Sequence, residues 1–173
     1  DNVVKGLGQT TVGAWSTGGN LNSAKRSVFT AGTQTAALAA GGSNDDTPAI
    51  FATTELYNGS AWTEVNDLNV AKFQGGTAGT QTSALAFAGR TPPTVATNES
   101  WNGTSWAEVA DLNKARHGLG GAGISNTSAL CFGGFDPVTF PTPTGGRLTL
   151  TESWNGSSWT EVNDLNTGRR DMA

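Results

Sequence analysis

Residues able to do nucleophilic, acid–base or metal chemistry are few in this chain. His117 is the single histidine, Cys131 the single cysteine and Tyr57 the single tyrosine. A nucleophile with its base and orienting group, or a three-ligand metal site, needs several such side chains within reach of one another. On inventory alone the sequence points to no catalytic site, no metal and no cofactor. The carboxylates that remain recur at fixed places: Glu55, Glu99 and Glu152 each stand seven residues before a tryptophan (Trp62, Trp106, Trp159). A basic residue stands ten residues after each marker tryptophan, giving Lys25, Lys72, Arg116 and Arg169. A catalytic acid–base pair occurs once in a molecule, whereas a pair repeated at constant spacing holds structure. Ion pairing between strands is therefore the expected role of these groups. His117 takes the place held by Arg26 and Phe73 in the other copies, and Cys131 the place of Ala39 and Ala86. Both read as structural residues, the cysteine as a small buried thiol of low reactivity.

Those spacings belong to an internal repeat, the pattern that decides the architecture. The segments 56–69, 100–113 and 153–166 are near copies, and a decayed fourth copy surrounds Trp15. The marker tryptophans are 47, 44 and 53 residues apart, a period that suits a four-stranded unit. Each copy divides into four short runs: a Gly/Ala-rich run after the basic residue, a second run ending in Gly41-Gly42, Ala88-Gly89 or Gly133-Gly134, a third carrying the glutamate, and a fourth beginning at the tryptophan. Asn-Gly between the third and fourth runs predicts a tight hairpin. The fold class expected is all-β, a propeller fragment of four-stranded antiparallel blades. The units are a partial blade over 1–24, blades over 25–68, 72–112 and 116–165, and the start of another over 169–173. The core is expected from Leu38, Leu85 and Leu130 on second strands, from Trp62, Trp106 and Trp159 on fourth strands, and from Leu68, Leu112 and Leu165.

The diglycine closing the second strand, an aromatic residue five positions before a Trp, and the closing Asp-Leu-Asn phrase followed by a basic residue resemble the kelch repeat over roughly residues 25–169. The sequence departs from that pattern at Ala88, and Trp101 and Trp154 stand where the family has tyrosine. Copper-radical oxidases built on such propellers need several Tyr and His ligands, which this chain lacks. The Thr/Ala/Gly-rich, nearly identical copies also resemble kelch-like arrays in tail and surface proteins of bacteriophages and bacteria. That likeness implies a virion or extracellular location and other virion or surface subunits as partners. Three blades fall short of the four to eight that close a ring, so the remaining blades are expected from the same longer chain or from other chains.

Nearly all length variation lies in one connection. From the second-strand leucine to the glutamate the interval is 17, 14 and 22 residues, and all six prolines fall in these three loops. In an antiparallel blade these connections emerge on a common face, and variable loops on a constant scaffold are how binding surfaces are commonly built. The candidate ligand-binding residues are Asp45, Asp46, Phe51, Arg90, Thr91, Phe135, Asp136, Phe140 and Arg147. Aromatic and short polar groups of this kind suit a surface glycan or a protein receptor. The function expected is a non-enzymatic adhesion or receptor-binding module. The alternatives are a structural or decoration element of a particle, and part of a glycan-processing enzyme whose active residues lie elsewhere. Charge excludes other classes: net charge is −4 with no basic run, so the sequence offers no counterion-displacing patch for nucleic acid. Its apolar runs are too short for a membrane-spanning helix, and no membrane insertion is expected.

Overall fold

The computed structural model describes residues 18–45, 49–138 and 145–172. Its regular elements are all strands, in three four-stranded antiparallel sheets. The first sheet holds β1 (Phe29–Thr33), β2 (Ala36–Ala40), β3 (Thr54–Tyr57) and β4 (Trp62–Val65). The second holds β5 (Gly76–Thr80), β6 (Ser83–Arg90), β7 (Thr94–Trp101) and β8 (Trp106–Val109). The third holds β9 (Gly120–Ser125), β10 (Ser128–Phe132), β11 (Thr151–Trp154) and β12 (Trp159–Val162). Strands follow chain order within every sheet, and the first strands β1, β5 and β9 pack side by side. Three meander sheets joined along their innermost strands are the arrangement of a propeller fragment, and they do not close into a ring.

The hairpins between third and fourth strands are four residues long, one case being Asn58–Ala61 between β3 and β4. Only the glycine is left-handed there (φ 93°, 94° and 94° at Gly59, Gly103 and Gly156). Asparagine acts instead through its side chain: Asn58 Oδ1 accepts from Ser60 N and Ala61 N at 2.9 and 3.0 Å, and Asn102 and Asn155 do the same. The motif is thus an Asx turn and not the two-residue hairpin its Asn-Gly dipeptide predicts.

At the close of each second strand both residues of the diglycine are left-handed, with φ 62° and 107° at Gly41 and Gly42. Ala88 keeps that conformation at φ 56°, fully buried, as one of four non-glycine residues held at positive φ among the described residues. Gly89 itself allows no such exchange, because a Cβ there would lie 2.6 Å from the Phe73 carbonyl oxygen.

The second sheet gives one face to the first sheet and the other to the third. Phe29, Leu38, Ala40 and Leu68 of the first sheet pack on Ala84, Ala86, Trp101 and Trp106 of the second. Leu85, Phe87 and Leu112 of the second pack on Ala129, Cys131, Trp154 and Trp159 of the third. One phenyl ring fills each inner strand pair, from the first strand in the first sheet and from the second strand in the other two. The paired residues are Phe29 with Ala40, Gly76 with Phe87, and Gly120 with Phe132. Any side chain on Gly76 or Gly120 would strike the opposing phenylalanine, so a ring on one strand is matched by a small residue, Ala or Gly, on the other.

Six of the nine expected core residues are buried: Leu38, Leu85, Trp106, Trp159, Leu68 and Leu112. The other three correct the sequence reading, since Leu130 is 41% exposed and Trp62 and Leu165 are only half-buried. They lie on the outward faces of the first and third sheets, where no neighbouring sheet covers them. Replacing Trp106 by Ala, which empties a closed interface, is expected to cost about 3–5 kcal/mol in urea denaturation. Trp62→Ala is expected to cost clearly less, and equal losses would contradict this account of the packing.

Candidate functional site

The repeated acids and bases form buried pairs. Lys25 Nζ lies 2.9 Å from Glu55 Oε1, Lys72 Nζ 3.4 Å from Glu99 Oε1, and Arg116 Nη1 2.8 Å from Glu152 Oε1. The second carboxylate oxygen holds the linker that enters the same sheet: Asn22 N, Asn69 N and Asn113 N donate to Oε2 of Glu55, Glu99 and Glu152 at 2.8, 2.7 and 2.9 Å. Each carboxylate is buried and is held through both of its oxygens by structural donors. Burial lowers the Lys72 pKa even against the raising effect of Glu99. Cys131 accepts from Arg116 Nη2 at 3.0 Å, and burial pushes its thiol up to about 12, so it is inert as a nucleophile at neutral pH. Among the described residues no group of three His, Cys, Asp or Glu could hold a metal ion.

The three variable connections open on one rim, beside the residues that follow each basic position. Those residues are Arg26, Phe73 and His117, which exchange backbone hydrogen bonds with Ser43, Arg90 and Phe135. On the first sheet, Asp45 is exposed and pairs with Arg26, while half-buried Phe51 donates its N–H to Gly42 O at 2.9 Å. Asp46 and Phe140 lie outside the described residues. On the second sheet the variable connection, which the sequence reads as a loop over 90–97, is mostly strand. Gly89 pairs with Val95 and Arg90 with Thr94, leaving only Thr91, Pro92 and Pro93 as the turn, with Thr91 N donating to Pro93 O at 2.9 Å. Arg90 therefore sits at a strand end, its guanidinium 5.6 Å from the centre of the Phe73 ring. On the third sheet Asp136 is buried, takes Lys114 Nζ at 2.9 Å and accepts Val138 N at 2.8 Å, so it fastens its own loop. Arg147 is exposed and pairs through its backbone with Phe135.

These contacts join into one row across the second and third sheets. Arg90 stacks on Phe73, and Thr94 Oγ1 lies 3.0 Å from His117 Nδ1. His117 meets the Phe135 ring edge-on at 5.3 Å between centroids, and Arg170 caps that ring at 4.7 Å. The structure thus brings Arg90, Thr91, Phe135 and Arg147 to one stretch of rim and leaves Asp45 and Phe51 on the neighbouring sheet. The row includes four residues outside the sequence-based set: Phe73, Thr94, His117 and Arg170. Their signal was visible, because Arg26, Phe73, His117 and Arg170 occupy one repeat position whose residue type changes from copy to copy. Alternating cations and rings offer guanidinium edges and aromatic surface to a binding partner. A separate cleft of about 340 Å³ lies between the inner strands, lined by Thr30, Thr77, Gly79 and Gly121 among others, and carries no charged side chain. No protein-family model matches the chain, and no curated protein is significantly similar to it.

Two outcomes test this electrostatic account. Glu152→Gln strands the buried Arg116 cation and is expected to cost about 3–5 kcal/mol, whereas the double change Glu152→Leu with Arg116→Met costs much less. A purely additive result in equilibrium unfolding would reject the pairing. Burial, then the charge of nearby Arg90, holds the His117 pKa below its ordinary 6.5. With the folded value depressed, the unfolded chain takes up the proton first as pH falls. Stability is then full above about 6.5, declines below it and levels off once the folded imidazole protonates. In melts between pH 7.5 and 5, His117→Gln should remove that decline, and an unchanged profile would contradict the assignment.

Proposed function

We propose that the chain is a non-enzymatic binding module that holds a surface glycan or a protein receptor on the rim of its variable connections. In this reading it belongs to a kelch-like array on a virion tail or fibre or on a cell surface, beside other subunits of that assembly. The observation that supports it is the row Phe73, Arg90, His117, Phe135 and Arg170, built where the repeats differ on sheets that otherwise hardly differ. The opposite rim carries Asx turns of constant length whose polar groups serve the turn itself. Cation–aromatic stacking holds each guanidinium in place, which lowers the ordering cost a ligand would otherwise meet.

The test uses an array of neutral and carboxylated oligosaccharides, with melting temperature recorded in parallel. Shortening 135–149 to the length of 90–97, or replacing Arg90 and Arg147 together by Ala, is expected to abolish retention while the Arg-to-Ala variant keeps its melting temperature. Undiminished retention by the folded double variant would reject the reading.

A further inference from the structure

The outward face of the third sheet has the shape of an interface that the molecule already forms twice. On the first sheet the equivalent face is closed by the second: Leu38 and Leu68 are buried, and Trp106 Nε1 donates to Thr54 Oγ1 at 2.9 Å. The turn of the incoming sheet adds a side-chain amide, since Gln81 Nε2 donates to Ala37 O and Tyr57 O at 3.2 and 2.6 Å. Asn126 repeats that role one sheet later, donating to Trp101 O at 3.1 Å and Ser100 Oγ at 2.9 Å. On the third sheet, Leu130 and Val162 are each 41% exposed, and Phe132 and Leu165 are half-buried. Thr151 stands in register where Thr54 stands, each opposite the valine that ends the fourth strand. Its Oγ1 is buried and makes no hydrogen bond, although the same oxygen of Thr54 takes a tryptophan N–H.

The chain beyond β12 has already taken the geometry of a blade entry. Gly42 N, Gly89 N and Gly134 N donate alike to the carbonyls of Lys72, Arg116 and Arg169, at 2.9, 3.0 and 2.9 Å. Gln74 N donates to Ser27 O, Gly118 N to Gln74 O and Asp171 N to Gly118 O, and all four of these residues are left-handed, with φ between 54° and 62°. Yet Arg169, unlike Lys25, Lys72 and Arg116, has no carboxylate within ion-pair distance among the described residues. A cation placed by the backbone, a buried acceptor without a donor and an uncovered apolar face occur together.

We propose that this face is a docking surface for one further four-stranded blade of the same repeat, entered through Arg169. The incoming blade carries small residues on its second strand, a glutamate on its third that meets Arg169, and a tryptophan on its fourth that donates to Thr151 Oγ1. A second copy of this chain does not fit that description. Glu55 of its first sheet is already held by Lys25 and by Asn22 N, and Trp62 Nε1 already donates to Gly19 O at 3.1 Å. Segment 18–22 thus fills the groove that the partner's 163–169 linker would need.

The experiment replaces residues 170–173 by a copy of 73–113, so that Arg169 opens a blade bearing the equivalents of Glu99 and Trp106. Hydrogen exchange at the backbone amides around Leu130 and Thr151 is expected to slow by about tenfold or more relative to the 173-residue chain. Leu130→Lys and Thr151→Val should lower the melting temperature of the extended chain while leaving that of the 173-residue chain unchanged, and Glu99→Gln in the added copy should undo the gain. An added segment that stays protease-sensitive, or variants that act equally in both chains, would overturn the proposal. Sedimentation showing self-association of the 173-residue chain that Leu130→Lys abolishes would overturn it in favour of a second copy.

Discussion

Everything in this array hangs on a buried carboxylate at the third strand of each sheet. An ionised glutamate out of water is tolerated only when its oxygens are saturated. Here one oxygen takes the basic residue that opens the sheet and the other takes the N–H of the linker just before it. A single side chain therefore fixes where the linker crosses and where the first strand begins, and the third strand, which carries the glutamate, is placed against both. The constant interval from tryptophan to basic residue follows, because inserting one residue there would carry a cation away from a buried anion. The connection between second and third strands meets these groups at its ends, where Gly42 N donates to Lys72 O and Thr53 Oγ1 takes Lys25 Nζ, and the stretch between those ends is where length varies most.

The alternation of Gly/Ala runs, glutamate, Asn-Gly and tryptophan made the strands and their order legible, because each is a local choice dictated by backbone conformation or burial. The ion pairs were legible for the same reason: charge recurring in a low-charge chain must be matched. Other features depend on partners far away in sequence. Phe29 and Ala40 look unlike Gly76 and Phe87 until the strands are paired, when the two combinations fill one volume with one ring. The bulge at left-handed Ala88 lets β6 and β7 run on to a three-residue turn, and nothing in the Arg-Thr-Pro-Pro sequence distinguishes that from an open loop. Of the candidate site, the rim was legible as the place of variation. The grouping within it was not, because the contact of Thr94 with His117 crosses between sheets.

Burial in such an array belongs to the interface and not to the residue. Leu38, Leu85 and Leu130 share strand position and type, and two are sealed while the third is 41% exposed. Repetition in the sequence reports which side chains are made for burial, whereas the neighbour decides whether they reach it. The same logic explains the tryptophan pairs, closed at Trp101 and Trp106 and open at Tyr57 and Trp62.

That division also bears on how such a scaffold can acquire binding. The interfaces carry the apolar packing, the glutamate junctions carry the buried charge, and the Asx turns satisfy their own backbone. Each is a closed system that tolerates little change, so substitutions survive where none of the three reaches. The residue after the basic position is such a place: at Arg26, Phe73 and His117 the backbone alone ties it to the neighbouring connection's strand bridge, and its side chain meets other residues of the rim. Arg26, Phe73, His117 and Arg170 can therefore differ without disturbing the sheet beneath them, and their neighbours Ser43, Arg90 and Phe135 differ with them. A surface anchored to the sheets through its backbone, whose side chains contact one another on the rim, can change its chemistry without altering the strand ladders, and this is the physical reason to look for recognition there.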